Sequence, residues 1–238
     1  MKSFILIATF ALTVIGICYI GHHSATNLRN SVPTYDMYVF AVQWGKTLCV
    51  SGGSACETRL ANSPKNHMSI HGLWPSLKSG SQLATCNTGT QVSIVDDGSS
   101  TFISARKYWP SLTGANTDFW NHEYNKHGYC YSNKIGDFDY KKYFQKALDV
   151  FTSKKINTLI TDTFGTKSGE YAVSLSTLKS KLTSKFGGNY YALVCKTISS
   201  KQYLQEIRIS MDLNFNYMTS SLSSSTCSSS KDVIIYYR

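Results

Sequence analysis

The chain has 238 residues, with 24 Lys and Arg against 14 Asp and Glu and a formal net charge of +10. Beyond one run at its start no segment is long and apolar enough to span a bilayer, which excludes a multi-span membrane protein, and no stretch reads as an interdomain linker. The basic balance favours polyanionic partners, but it bears on encounter and solubility and selects no chemistry.

Met1-Lys-Ser precedes an uncharged apolar run from Phe4 to Ile20, followed by the small residues Gly21, Ser24 and Ala25. This order reads as a secretory signal over residues 1–25, cut between about residues 20 and 26. An uncleaved anchor is the alternative, because seventeen apolar residues reach the lower limit for a membrane span. Cleavage leaves residues 26–238 as a single domain with 23 basic and 14 acidic residues, a net +9, and enough length to bury one sizeable core. Of seven cysteines, Cys18 lies in the signal, while Cys49, Cys56, Cys86, Cys130, Cys195 and Cys227 remain. An even number in an exported chain implies three disulfides, although spacing alone does not choose among the fifteen possible pairings. No Cys-x-x-Cys occurs, against a zinc ribbon or a thioredoxin-like centre. No complete Asn-x-Ser/Thr sequon occurs either, so no N-glycan is expected.

Tyr35 to Trp44 is aromatic and β-branched and reads as a buried strand, with Gln43 as its one late polar residue, either a satisfied core amide or a ligand contact. The segment from Cys49 to Cys56 is a flexible loop short enough for one bridge. Met68 to Ser76 is a short apolar strand that delivers His71 and then breaks at Gly72 and Pro75. Residues 80–115 read as long surface connections with a helix near Thr101 to Tyr108. Asp137 to Ile160 has a helical pattern with its lysines on the solvent side, and Ser174 to Phe186 is a second helix closed by Gly187-Gly188. Asn189 to Thr197, Gln202 to Leu213 and Val233 to Tyr237 read as strands, and Thr219 to Ser230 is a Ser-rich loop pinned by Cys227. Helices in the middle and strands at both ends suggest an α+β domain.

Phe119 to Cys130 concentrates the chemistry. On a helix turning about 100° per residue, His122, Glu123, Lys126 and His127 leave one face, with Asp118 as a cap and Gly128 as a left-handed stop. A solvated amphipathic face is the plain reading, but Phe119, Trp120 and Tyr124 flank the charges and point to partial burial. A zinc signature needs histidines at i and i+4, whereas Lys126 holds that position, so no metal is expected. Apart from His22 and His23, the histidines are His67, His71, His122 and His127, all at or beside these two stretches.

Together Ile70-His-Gly-Leu-Trp-Pro75 and Phe119-Trp-x-His-Glu-x-x-Lys-His-Gly128 resemble the two active-site segments of the ribonuclease T2 family, in the same order and roughly fifty residues apart. The likeness extends to Gln43-Trp44 and the six cysteines. Tyr124 stands where tryptophan is common, Gly45-Lys46 where proline is usual, and Ser76 where some members carry an acid. The resemblance implies an α+β fold with a central antiparallel sheet flanked by helices, and bridges Cys49 to Cys56, Cys86 to Cys130 and Cys195 to Cys227. It implies an exported endoribonuclease, secreted or in a lysosomal or vacuolar lumen, that acts on RNA and not DNA, as a monomer without cofactor. His127 would be the base and His71 the acid, Lys126 would neutralise transition-state charge with the help of Glu123, and His122 would bind phosphate. Trp74 and Phe119 would stack bases, and Gln43 would line a second base pocket. A catalytically silent RNA-binding or signalling protein of the same fold is the alternative, and no catalytic residue of the pattern is missing.

Overall fold

The computed structural model describes residues 32–50, 52–81, 83–222 and 225–238, and the expected export signal lies outside them. Strand β1 (Met37–Gln43) is buried on both faces. Tyr38, Phe40 and Val42 enter the main core, while Met37, Val39 and Ala41 meet Trp74 on the opposite face. This period-two split is what an aromatic and β-branched run gives in a central strand.

The sheet runs β2-β1-β5-β6-β3, with β4 also on β5, where β2 is Ser69–Ser76, β3 Gly169–Val173, β4 Tyr191–Ile198, β5 Lys201–Met211 and β6 Val233–Tyr237. Its pairings are antiparallel except β5 with β6, which is parallel at Gln202 and Tyr203. The exception follows from the Ser-rich loop. Thr226 N bonds Leu193 O and Cys227 is bridged to Cys195 of β4, so the chain runs back along β4 before entering β6 beside the start of β5. β2 does not break at Gly72 and Pro75 as expected. Pro75 pairs with Tyr38 on the sheet's edge, where a missing N–H leaves no ladder bond unmade.

Helices α1 (Gly45–Cys49) and α2 (Gly53–Ala61) replace the flexible loop expected between Cys49 and Cys56, and their bridge joins the two. α3 (Ser100–Tyr108) supplies Phe102 and Ala105 to the core. α6 (Tyr140–Ser153) starts at Asp139, whose carboxylate accepts the Lys141 amide, and buries Tyr143, Phe144, Ala147, Leu148 and Phe151. It stops short of Ile160. Lys155 takes φ 54°, its amide bonds Thr152 O and the Ile156 amide bonds Phe151 O, which closes the helix with an apolar residue tucked behind it. The chain resumes as α7 (Leu159–Phe164), while α8 (Leu175–Phe186) runs from a Ser174 cap to Gly187 at φ 76°, as its sequence predicts.

Candidate active site

His71 owes its placement to a β-bulge. Ala41 pairs with Gly72 and the next residue, Val42, pairs with Ile70, so His71 has no partner in β1. Ile70 and Leu73 both lie in the core although they are three positions apart. Strict alternation forbids that, and one inserted residue permits it, turning His71 and Gly72 together to the far face. The buried Trp109 indole then fixes the backbone by donating to His71 O at 2.8 Å.

The second segment contains a comparable irregularity. Helix α4 (Asn116–Glu123) passes into a π-helical turn, Tyr124–Gly128, and on into α5 (Tyr129–Ile135). Two expectations are thereby corrected. Asp118 lies within the first turn and caps nothing, since Ala115 precedes the helix without a side-chain bond. Gly128 does not stop the helix either. It has φ −63°, and the left-handed stop falls at Gly136 with φ 69°. Glycine is needed at 128 for space, because a Cβ there would meet Tyr124 at 2.7 Å and Tyr143 at 2.8 Å.

The wide turn is held from outside. Cys86 N bonds Lys126 O at 3.0 Å and Asn87 N bonds Asn125 O at 2.9 Å, so carbonyls that leave the regular ladder find partners in the preceding loop. The buried Asn125 amide donates to Val92 O and Asn121 O, its oxygen accepts from Val92 N and Asn87 Nδ2, and Cys86 is bridged to Cys130 one turn on. Because each residue of a π turn rotates less than the α-helical 100°, His127 comes back towards the direction of His122 instead of diverging by 140°.

Trp74 stands at the centre of the site. Its ring centroid is 5.0 Å from His71 and 5.4 Å from His127, so the two imidazoles are separated by no more than those distances together. Its indole N–H donates to Glu123 Oε2 at 2.9 Å. Phe119 lies 6.0 Å from His71. His71, Trp74, Phe119, His122, Glu123, Lys126 and His127 are thus one cluster, with Lys126 close enough to act electrostatically on both histidines of its helix. Gln43 shares the sheet face of Glu206, its register partner on β5. The bridges are Cys49–Cys56, Cys86–Cys130 and Cys195–Cys227, the pairing that the resemblance implies.

Two residues of the site were not singled out from the sequence. Glu206 Oε2 lies 2.5 Å from His71 Nδ1, and Arg208 Nε donates to Glu206 Oε1 at 2.6 Å while its guanidinium lies 5.5 Å over the Trp74 ring. Both are on β5, two residues apart and therefore on one face. A charged pair at i and i+2, alternating with the buried Ile207 and Ile209, was the available signal.

Electrostatics set the histidines apart. Burial opposes charge on His71, but the Glu206 hydrogen bond and the charges of Glu206 and Glu123 outweigh it and raise the pKa. Burial, Lys126, His122 and His71 all push His127 down, to about 3. His122 is lowered by burial and by Lys126. Burial raises Glu123 to about 7 against the pull of His71, Trp74 and Lys126. His127 is thus biased towards its neutral form and His71 towards its protonated form, with an ammonium and a carboxyl group beside them.

The fold and the two segments that carry these histidines, on a disulfide-linked α+β frame, are those of an RNA-cleaving class of enzyme. The Ribonuclease T2 family model matches residues 35–227, and the chain belongs to that family. Among its relatives, Ribonuclease DdI of Dictyostelium discoideum is 30% identical over 180 residues, covering 74% of this chain and 76% of that protein. Ribonuclease Rh of Rhizopus niveus is 29% identical over 207 residues, covering 79% and 80%. A mutant of RNase MC1 in complex with 5′-GMP superposes with a TM-score of 0.65 at 27% identity, covering 82% and 97%. An RNase-related protein from Calystegia sepium shares the fold, with a TM-score of 0.62 at 21% identity over 86% and 98%. The chain is an endoribonuclease of the T2 type.

Proposed function

We propose that residues 26–238 act as one exported catalytic domain that cleaves single-stranded RNA by transesterification, without a metal ion. His127 takes the proton of the ribose 2′-hydroxyl, whose oxygen attacks the adjacent phosphorus. His71 gives its proton to the departing 5′-oxygen, leaving a 2′,3′-cyclic phosphate. In a second step water attacks the cyclic phosphate with the two roles exchanged, and a 3′-phosphate remains. DNA lacks the nucleophile, so selectivity for RNA needs no reading of bases. Lys126 and His122 meet the charge that develops on the phosphoryl oxygens. Glu123, protonated up to about pH 7, acts beside them as a hydrogen-bond donor and spacer. Trp74 and Phe119 offer stacking surfaces worth about 1–3 kcal/mol per base.

The single observation behind this reading is a pair of imidazoles with opposite protonation preference, both within 5.4 Å of the Trp74 ring. Export is supported by the leader and the three disulfides, and named relatives include an extracellular and an intracellular ribonuclease of Solanum lycopersicum. The test is incubation of the purified protein with dinucleotides across pH, with product identification. A cyclic phosphate should accumulate and then decay, EDTA should have no effect, and His71→Ala or His127→Ala should lower kcat/KM by about 10²–10⁴ with folding intact. Binding of RNA with no turnover in the native protein would overturn the proposal.

A further inference from the structure

Two grooves near the starts of the strand and helix that carry the imidazoles share one chemistry. The first, of about 540 Å³, is lined by Arg59 of α2 and by Arg106 and Lys107 of α3, together with Pro110 and Asn116. Pro110 follows the tryptophan that holds the His71 backbone, and Asn116 opens α4 one turn before Phe119. The second, of about 290 Å³, is lined by Lys65, His67, Lys167 and Arg238 among hydroxyl side chains. Lys107 of the first groove and Arg238 of the second both act electrostatically on His67, so the two are neighbours. His67 also immediately precedes the strand that carries His71.

The nearby carboxylates are already engaged. Asp96 pairs with Arg106, Glu57 with Lys46 at 2.6 Å, and Asp162 with Lys185 at 3.5 Å. Among the described residues no ion pair involves Arg59, Lys65, Lys107, Lys167 or Arg238. Like charges that outnumber the carboxylates around them repel one another, and an external polyanion relieves that repulsion.

We propose that this basic band holds phosphates of the RNA strand beyond the scissile linkage, so that polymeric RNA is engaged more strongly than a dinucleotide. The proposal rests on the reading of the site as an RNA-cleaving centre. A dinucleotide carries only the scissile phosphate, whereas each further phosphate of a long strand can meet a lysine as a point charge.

The experiment compares the native protein with a Lys65→Glu/Lys107→Glu/Lys167→Glu variant. The ammonium groups of these three lysines make no hydrogen bond among the described residues. A charge-matched control carries Lys134→Glu/Lys179→Glu/Lys231→Glu. Substrates are a dinucleotide and a single-stranded RNA of about 20 nucleotides, each over a range of salt. Expected is an unchanged kcat/KM on the dinucleotide, a loss of about tenfold or more on the long RNA relative to the control, and a salt slope shallower by about 2. A loss on the long RNA no greater than in the control would overturn the band. Affinity for a 2′-deoxy strand of the same length, which needs no turnover, should fall in parallel. That arm separates failure of the band from failure of the catalytic reading.

Discussion

The carboxylate of Glu206 holds His71 by its Nδ1 at 2.5 Å and is itself held by Arg208 at 2.6 Å. One ring nitrogen is thereby committed, and Nε2 is the edge left free for chemistry. Burial raises the pKa of Glu206, yet His71 and Arg208 more than offset it and keep the group anionic. A depressed carboxylate contributes stability above its unfolded value of 4.5, which is lost as pH falls through the folded pKa. A raised histidine contributes stability below its unfolded value of 6.5, which is lost as pH rises through the folded pKa. The pair therefore stabilises most between these two values.

Glu206→Gln keeps the shape and removes the charge. The pKa of His71 should fall, so the high-pH limb of kcat/KM on a dinucleotide should move to lower pH, while the low-pH limb, set by His127, stays in place. The loss at neutral pH should be smaller than for His71→Ala. A pH profile with both limbs unmoved would show that Glu206 does not position the acid.

Gly72→Ala probes the centre of the site. A Cβ there would fall 2.1 Å from both Glu123 Oε2 and Trp74 Nε1, so the bond between them must open. Forcing a methyl group into packed surroundings costs about 1–3 kcal/mol. Activity should drop by about tenfold or more, since the indole and the carboxyl group are displaced together. Kinetics with a parallel denaturant titration separates the two effects, and native activity in this variant would show that the bond is dispensable.

Glu123→Gln should trade activity for stability. With a folded pKa of about 7 against 4.5 unfolded, Glu123 binds its proton more tightly in the native state, so its ionisation destabilises the fold as pH rises between these values. The penalty is absent below 4.5 and reaches about 3 kcal/mol above 7. The difference in unfolding free energy between variant and native protein should therefore grow from pH 4.5 to pH 8. A difference that is flat across that range would contradict the buried, neutral carboxyl group.

Cys86→Ala/Cys130→Ala opens a bridge whose ends are 44 residues apart. Chain entropy assigns such a loop about 4 kcal/mol. The same change should loosen the π turn, because the amides of positions 86 and 87 are bonded to its carbonyls. Hydrogen exchange at those two amides should accelerate beyond the global loss. Removing Cys195–Cys227, with a separation of 32, should weaken the fold comparably and leave those amides protected relative to the rest.

Most strands and long helices were legible because burial imposes a period. β1, β4, β5, β6 and α8 lie close to where alternation, helical periodicity and a glycine stop put them, and α6 covers the middle of the helix expected over 137–160. Where tertiary partners decide, the sequence was silent. The π turn is set by the 86–94 segment, the bulge at His71 by its pairing with β1, and the parallel β6 by a bridge to β4. Strand β3, half exposed, has too weak a pattern to stand out. Within the site, the histidines, Lys126 and Trp74 were found by motif, whereas Glu206 and Arg208 were passed over as ordinary strand residues.

Both imidazoles occur where a regular backbone takes in one residue more than its ladder holds: His71 in the bulge of β2, His127 in the widened turn after α4. A one-residue deletion that restored either lattice would tidy the hydrogen bonding and swing a ring away from its counterpart. The spacing within each motif is accordingly inelastic. Side-chain identity can drift around the two rings, but chain length between their flanking anchors cannot.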